Sequence, residues 1–228
     1  MNTQVYVDFD GTIMTSDTTD FLLERFALPE WHAVEDEWAA GRIGSRECMA
    51  RQVDLIRATP EALDAAVAEL EMDAGFPGFL AVCEALGVGA TIVSDGLDRV
   101  IEATLRRHKV DVPFFANRLV PTGGDRWRLE FPNARSDCAV GAGHCKCAHP
   151  DGRPGWLSIV VGDGRSDFCI ARRADLVLAK SKLIEECQKS GMPHFAFRSF
   201  DEATEHLKGW PRVSSNTGHV DACLPLEA

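Results

Sequence analysis

The amino-acid sequence predicts an α/β fold, with a Rossmann-like parallel sheet core, helices on both faces and a small helical cap inserted after the first strand. Short runs rich in Val and Ile alternate with helix-like segments, which is typical of parallel strands joined by helices. The stretch between the first two runs is helical throughout, which indicates an insert. The predicted strands are residues 4–8, 90–94, 157–161, 175–179 and 194–197.

The predicted cap covers residues 16–78, and the predicted core covers residues 1–15 and 79–228. Cap helices are expected at 29–40, 45–56 and 61–70. Gly41 is suited to end the first of them, while Thr59 can cap the last, with Pro60 at its first position. Two short crossings would join this insert to the core. We therefore expect a lid that hinges over the sheet, although the same helices could simply cover it.

Later in the core, residues 118–121 and 126–131 are expected to form a β-hairpin around residues 122–125. The stretch 132–155 that follows is rich in Gly, Pro, Cys and His. A loop of this length is usually functional.

The composition is that of a soluble globular protein, with 45% hydrophobic and 26% charged residues in a chain of 228. This length suits one core plus a small insert. A net charge of -11 argues against nucleic acid or an anionic membrane as a partner, and no apolar run is long enough to span a bilayer. Eight cysteines without a secretory signal indicate a reduced, cytoplasmic setting. A monomer and a homodimer are both compatible with the sequence.

Asp8 and Asp10 end the first predicted strand, in the run Val-Tyr-Val-Asp-Phe-Asp-Gly-Thr. Residues i and i+2 of a strand face the same side, so these two side chains can work as a pair at the sheet edge. One could attack a phosphorus atom while the other handles protons, and their crowding would require a cation. The alternative is a plain Asx-type turn, which Asp-Gly often forms.

Three further motifs follow in a fixed order. They are Ser94-Asp95-Gly96 after the second predicted strand, Lys146 in a later loop, and Gly162-Asp163 with Asp167 after the third strand. Together with Asp8 and Asp10, this ordered set resembles the haloacid dehalogenase superfamily of phosphotransferases over nearly the whole chain. A helical insert directly after the first strand is similar to the cap of its phosphoserine-phosphatase-like branch.

The resemblance implies a Mg²⁺-dependent phosphatase that hydrolyses a small phosphorylated metabolite through an aspartyl-phosphate. It makes Asp8 the nucleophile and Asp10 the general acid and base. Asp163 would complete the Mg²⁺ site with Asp8 and the carbonyl of Asp10, and Asp167 would lie behind it or bind through water. Lys146 would steady the nucleophile and the phosphate. The alternatives are that the Asp163 segment is only a turn and that Lys146 is a solvated surface lysine.

The resemblance also assigns phosphate binding to Ser94, Asp95 and Gly96. They are expected where a helix begins, so that hydroxyl, amides and helix dipole favour an anion. A plain Ser94 helix cap is the alternative. The branch usually has glycine at the position of Asp95, so this carboxylate must point away from the phosphate or meet a cation. Asp17 matches an acidic position that approaches the substrate from the cap, or it caps the next helix.

Within the superfamily, several stretches resemble a methionine-salvage family of phosphatases that act on 2-hydroxy-3-keto-5-methylthiopentenyl-1-phosphate. These stretches are residues 8–13, 29–31, 145–146, 162–163 with 167, and 185–187. Phosphoserine is an alternative substrate. However, the arginine that holds its carboxylate in phosphoserine phosphatases is replaced here by Gln52, which is a poor substitute for a bidentate clamp. Arg42, Arg46 and Arg51 are the candidate cap contacts.

A non-catalytic or regulatory phospho-ligand-binding protein of the same fold is the alternative class of function. The intact set of Asp8, Asp10, Lys146 and Asp163 favours an enzyme. The predicted cap also favours an enzyme, because it would exclude bulk water during phosphoryl transfer.

A cluster of metal-ligating residue types within a dozen positions raises the hypothesis of a zinc site. Its members are Cys138, His144, Cys145, Cys147 and His149. Their spacing is not that of a usual zinc knuckle, so reduced cysteines that pack the loop are the favoured interpretation.

Overall fold

The computed structural model describes residues 2–151 and 155–210. At the centre of this part of the chain is a seven-stranded sheet with the order β4-β3-β2-β1-β5-β6-β7. The strands are β1 (Thr3–Val7), β2 (Gly89–Leu97), β3 (Phe114–Gly123), β4 (Arg126–Glu130), β5 (Leu157–Gly162), β6 (Leu176–Ala179) and β7 (His194–Ala196). Neighbours pair in parallel except β3 and β4, which form the predicted antiparallel hairpin at one edge. The predicted fold class is confirmed.

Ten helices accompany the sheet in the described residues. They are α1 (Thr18–Phe26), α2 (Trp31–Ala39), α3 (Ser45–Val53), α4 (Pro60–Val67), α5 (Phe76–Ala85), α6 (Asp98–His108), α7 (Ala148–Asp151), α8 (Phe168–Ala171), α9 (Ser181–Ser190) and α10 (Phe200–Gly209). A π-helical turn, Phe9–Ile13, follows β1, and a 3₁₀ turn, Arg165–Asp167, precedes α8. No described helix is both long and apolar enough to cross a membrane.

The two faces of the central strand β1 enter different parts of the core, because successive strand residues point in opposite directions. Val5 and Val7 belong to the main hydrophobic cluster, whereas Tyr6 packs with Val160 and Ile170 on the other side. Both faces are therefore buried, which is the usual condition of a parallel sheet.

Aromatic packing joins the two helices α5 and α10 on the main-cluster side. The ring of Phe200 lies 5.0 Å from that of Phe76 and 5.2 Å from that of Phe79, measured between centroids, in edge-on orientation. Phe76 begins α5 at a position inside the predicted cap range of 16–78, yet it packs on a core helix. The exact cap boundaries stay a prediction, and residues 211–228 of the predicted core lie outside the described residues.

Helices α1 to α4 form the cap, and two short antiparallel crossings connect it to the core. Met14 forms an antiparallel bridge with Met72. On either side of this bridge, the amide of Thr15 donates to the carbonyl of Glu71, and the amide of Asp73 donates to the carbonyl of Ile13. The segment that leaves the core and the segment that returns to it therefore lie side by side.

The last cap helix, α4, is attached to the core by side chains. Arg99 of α6 forms an ion pair with Asp64 at 2.7 Å, and Arg107 donates to the carbonyls of Val67 and Leu70 at the end of α4. Just before α4, the indole of Trp127 donates to the carbonyl of Ala58 at 2.8 Å.

The predicted cap-helix ends are close to the observed ones. Thr59 caps α4 by accepting from the amide of Ala62, and Pro60 opens the helix as predicted. Gly41 has a φ of +71° just after α2, which is the left-handed conformation expected at that position. Helix α3 ends at Val53 rather than at residue 56, and α4 ends at Val67 rather than at residue 70.

Candidate active site

Four carboxylates gather at the carboxyl ends of β1 and β5. Asp8 follows β1 and is fixed to the neighbouring strand, because its amide donates to the carbonyl of Val161 at 2.8 Å. Asp10 lies in the π-helical turn, whereas Asp163 and Asp167 follow β5. Carboxyl ends of parallel strands are the usual ligand-binding edge of such a sheet.

The turn that carries Asp10 passes very close to the loop after β5. Gly11 has a φ of +68°, and a Cβ there would lie 2.7 Å from an oxygen of Asp163. Both the conformation and the space therefore require glycine. This close approach brings the two acidic segments together.

Lys146 lies buried among these acids, with only 1% of its surface exposed. Its Nζ donates to Asp8 Oδ1 and to Asp167 Oδ1, both at 2.7 Å, and to Ser166 Oγ at 3.2 Å. Burial acts to lower the pKa of Lys146, but the charges of Asp167 and Asp8 outweigh it and raise that pKa above its usual value. The lysine is therefore a fixed positive charge, and the surface-lysine alternative is wrong.

The remaining negative charge is only partly compensated. Burial, with the neighbouring charge of Asp167, raises the pKa of Asp8 well above its ordinary value, even though Lys146 acts against this shift. The same two causes raise the pKa of Asp163 to about 6. One carboxylate oxygen from each of Asp8, Asp163 and Asp167 lies within 4.8 Å of the other two. A hard divalent cation such as Mg²⁺ fits this set of oxygen donors and would offset their charge.

Asp167 is held at both of its oxygens. Oδ1 accepts from Lys146, and Oδ2 accepts from the amides of Asp163 at 3.1 Å and Gly164 at 3.3 Å. Its side chain therefore positions the lysine and shapes the turn that presents Asp163.

Asp10 is held apart from this group by the first turn of α1. Its Oδ1 accepts from the amide of Thr18 at 2.9 Å and from the hydroxyl of the same residue. Burial, together with the charge of Asp17, raises the pKa of Asp10 to about 7. An acid with this pKa can both give and take a proton near neutral pH. Thr18 is not among the predicted site residues, although its position next to a helix-capping Asp17 is a signal for such a contact.

The segment Ser94-Asp95-Gly96 does not lie at a helix start, as was predicted, but within a strand. These residues belong to β2, which continues to Leu97, and α6 begins only at Asp98. Ser94 is fully buried, and its Oγ accepts from the amide of Gly96 at 2.9 Å. A Cβ on Gly96 would overlap the carboxylate of Asp10. The prediction that a helix dipole acts at this segment is wrong, because the strand runs three residues further than the pattern indicated.

Asp95 meets neutral donors rather than a cation. Its Oδ1 accepts from the amide of His144 at 2.8 Å and from Asn117 Nδ2 at 3.0 Å, while its Oδ2 accepts from Ser45 Oγ at 2.7 Å. Ser45 begins cap helix α3, so Asp95 connects the cap, the sheet and the loop that leads to Lys146.

A cavity of about 400 Å³ separates the cap from the sheet edge. Its core side includes Asp8, Asp10, Asp95, Gly96, Asp163 and Arg165, and its cap side includes Asp17, Glu35, Trp38, Cys48, Met49 and Gln52. Across the opening, the guanidinium of Arg165 lies 5.0 Å from the centre of the Trp38 ring. Asp17 caps α1 by accepting from the amide of Asp20, which confirms the capping alternative. It also lines the cavity, and its approach to the substrate stays a prediction.

The cap offers an amide, not an arginine, to this cavity. Gln52 is buried, and its Nε2 donates to Glu35 at 2.9 Å. Arg51 points elsewhere and forms a bidentate pair with Glu37. The other two predicted cap contacts, Arg42 and Arg46, do not line the cavity.

The residues of the proposed zinc cluster separate into two groups. His144 Nδ1 donates to the carbonyl of Ser94 at 2.8 Å, and its Nε2 therefore accepts from His149 Nε2 at 2.7 Å. Burial lowers the pKa of His144 to about 4, in keeping with a neutral ring. Cys138, Cys145 and Cys147 lie instead around a second cavity. Among the described residues, no three of these five side chains place potential ligand atoms within 4.8 Å of one another, which favours the interpretation of reduced cysteines that pack the loop.

The fold and the site together define a class: a capped, Rossmann-like enzyme whose acids and one lysine meet at the carboxyl ends of the central strands. A family profile of haloacid dehalogenase-like hydrolases matches residues 5–172. The chain belongs to this family.

Two bacterial relatives are similar to this chain over nearly their full length. A 2-hydroxy-3-keto-5-methylthiopentenyl-1-phosphate phosphatase of Geobacillus kaustophilus is 31% identical over 213 residues, covering 90% of this chain and 94% of the relative. A phosphatase of the same name from an Exiguobacterium species is 32% identical over 214 residues, covering 92% and 99%.

Solved structures support the fold. A phosphoserine phosphatase carrying a phospho-aspartyl intermediate analogue superposes with a TM-score of 0.67, at 19% identity, over 90% of this chain and 98% of that one. A substrate-bound phosphoserine phosphatase gives a TM-score of 0.66 with the same identity and coverage. At 19% identity, this similarity establishes a shared fold and nothing more.

Proposed function

We propose that this protein is a Mg²⁺-dependent phosphatase that hydrolyses a small phosphomonoester through an aspartyl-phosphate on Asp8. The observation that carries the proposal is the state of Asp8. Its carboxylate is buried at the cavity floor, with Oδ1 held by Lys146, which leaves the second oxygen for attack on phosphorus.

The chemistry needs one acid that changes its protonation state, and Asp10 has that property. Asp8 forms the bond to phosphorus while Asp10 gives its proton to the departing ester oxygen. Water then attacks the phosphorus and returns a proton to Asp10, which releases phosphate and restores Asp8. A pKa of about 7 suits both steps near neutral pH.

The metal would be held by Asp8 and Asp163, with the Asp10 carbonyl as the further ligand that the family resemblance implies. When bound, Mg²⁺ supplies the positive charge that stabilises the transferring phosphoryl group. Lys146 and Asp167 keep the nucleophile oriented, since the lysine contacts both carboxylates.

For the substrate we propose 2-hydroxy-3-keto-5-methylthiopentenyl-1-phosphate, the compound in the names of the relatives. The cap wall supports this choice in two ways. Trp38, Cys48 and Met49 offer soft, apolar surface to a methylthio group. Gln52 with Glu35 offers hydrogen-bond partners to hydroxyl and carbonyl groups, but the cap places no arginine in the cavity to hold a carboxylate. Phosphoserine is therefore the weaker substrate, and phosphate-ligand binding without turnover is the alternative function.

The test is phosphate release from a panel that includes this compound, phosphoserine and simple sugar phosphates, with Mg²⁺ and with EDTA. We expect Mg²⁺-dependent turnover that is highest for the methylthio compound. Asp8→Asn should lower it at least about 10³-fold, because the nucleophile is removed. Asp36→Asn, an exposed change on α2, is the matched control. Turnover by Asp8→Asn at the wild-type rate would exclude the mechanism, and binding of panel compounds without release would support the alternative.

A further inference from the structure

Arg165 is a cation that lines the acidic cavity between the cap and the sheet edge. Seven carboxylate side chains line the same cavity, namely Asp8, Asp10, Asp17, Asp20, Glu35, Asp95 and Asp163. Within the described part of the chain, the guanidinium of Arg165 forms no ion pair and no hydrogen bond, and it lies over the ring of Trp38 at 5.0 Å. Because it pairs with none of the nearby acids, its N–H groups are available to a ligand.

The backbone of Arg165 is held near the acids on the core side of the cavity. Arg165 begins the 3₁₀ turn two residues after Asp163, and the amide of Asp167 closes this turn by donating to the carbonyl of Gly164 at 3.1 Å. The next side chain, Ser166, accepts from Lys146 at 3.2 Å. The side chain of Arg165 therefore extends from beside a proposed metal ligand to the cap helix that carries Trp38.

The contact with Trp38 restrains the guanidinium without using its hydrogen-bond donors. A guanidinium over an aromatic ring is attracted by the electrons of that ring, whereas its N–H groups lie in its own plane. These donors form a rigid fork that matches two acceptor oxygens in one plane. The contact therefore leaves Arg165 suited to a ligand with a planar pair of oxygens.

We propose that Arg165 is a substrate-binding residue that recognises oxygen atoms on two neighbouring carbons, such as a hydroxyl and a ketone oxygen. This role rests on the proposed function, since it concerns the substrate of the same site. With the phosphate at Asp8 and the apolar end of the substrate at Trp38 and Met49, the carbons between them lie along the Arg165 side chain. The compound proposed above carries its hydroxyl and keto groups on carbons 2 and 3, directly after the phosphorylated carbon.

Two other assignments fit the structure less well. Lys182 is the second cation that lines the cavity, but it is exposed on α9, and its ammonium group is a point charge rather than a planar fork. Arg165 could instead serve only to hold the cap closed through Trp38. That role would affect every substrate alike, whereas recognition of an oxygen pair affects only the substrates that carry one. The difference between the two roles is measurable.

The test compares the hydroxy-keto phosphate with phenyl phosphate, which has no oxygen beyond the phosphate ester. Arg165→Met keeps an apolar contact with Trp38 and removes the fork. We expect KM for the hydroxy-keto compound to rise about 10–100-fold with kcat little changed, because hydrogen bonds from a charged group are lost. KM for phenyl phosphate should stay within about twofold. Arg165→Lys should recover little of the loss. Arg172→Met, an exposed change at an arginine that pairs with Glu186 outside this cavity, is the matched control.

A binding measurement separates this role from the proposed function. In the Asp8→Asn protein with Mg²⁺, isothermal titration calorimetry gives the Kd of the hydroxy-keto compound and of inorganic phosphate. Adding Arg165→Met should raise the first Kd about 10–100-fold and leave the second unchanged. A wild-type protein without turnover would therefore count against the proposed function alone. Equal changes for both ligands or both substrates, no change for either, no detectable binding of the hydroxy-keto compound, or full recovery in Arg165→Lys would overturn the role of Arg165.

Discussion

The two sides of the active site are built in different ways. On one side, Asp8 and Asp163 follow neighbouring strands, and the backbone ladder between β1 and β5 determines their separation. On the other side, Lys146 arrives from an irregular segment and is placed by side-chain contacts with Asp8 and Asp167. The strand side is rigid before any cation binds. The loop side depends on charges and hydrogen bonds that single substitutions can remove.

This difference shows where each side is vulnerable. A change on the strand side alters the chemistry and leaves the backbone in place, because the sheet holds it. A change on the loop side removes or displaces a buried charge, so it lowers stability as well as activity.

The largest effect on stability should come from Lys146→Met. It leaves the buried carboxylates of Asp8 and Asp167 without their shared cation, and breaking a buried pair typically costs about 3–5 kcal/mol. We expect urea denaturation of the metal-free protein to show a loss of this size, partly recovered with Mg²⁺. Lys189→Met, an exposed change on α9, should have little effect. An unchanged midpoint in Lys146→Met would mean that the loop side is held by other contacts.

The second prediction concerns how stability depends on pH, and it tests the strand side alone. Because the pKa of Asp10 is raised from 3.8 to about 7, the folded protein retains a proton that the unfolded chain has lost in this range. Stability therefore falls as pH rises from about 4 to about 7. Asp10→Asn removes this cost, since an amide oxygen can still accept from Thr18.

In the metal-free protein, Asp10→Asn should accordingly be more stable than wild type at pH 8, by a difference on the order of 2–4 kcal/mol that narrows towards pH 5. Urea denaturation in EDTA across this range measures the difference. Asp36→Asn, an exposed change on α2, is the matched control. A constant difference for Asp10→Asn would contradict a raised pKa.

The smallest effect should come from Asp95, which joins the two sides and the cap. Asp95→Gly removes the acceptor used by Ser45, Asn117 and His144, and we expect a loss of about 1–3 kcal/mol. Faster hydrogen exchange in residues 133–147 should accompany it. Asp95→Asn should behave almost like wild type, because its oxygen can accept from His144 and the Ser45 hydroxyl can accept from its amide group. Equal exchange rates in both variants would show that the loop does not depend on Asp95.

Sequence reasoning predicted the strand side well because its signals are local. The run of apolar residues before Asp8 and Asp10 predicts both a strand and the position of its carboxyl end. The run before Asp163 does the same for β5. Sequence reasoning failed where a contact joins distant parts of the chain. Nothing near Asp95 in the sequence indicates Ser45, fifty residues earlier. The same limit explains the helix start misplaced at Ser94, since pairing with β3 extends β2 to Leu97.

The cap helices are attached unequally to the core, and this affects how a substrate enters the site and how phosphate leaves it. Helix α4 is attached to the core by Arg99 and Arg107, and α3 packs against β4, with the amide of Arg46 donating to the carbonyl of Gly141 at 3.1 Å. Helix α2 packs on α3 and meets the core through the contact of Trp38 with Arg165. We therefore expect the entrance to open by movement of α2, with its free edge at Trp38. This movement admits a metabolite, and its rate, rather than the chemical step, would then set how soon phosphate leaves.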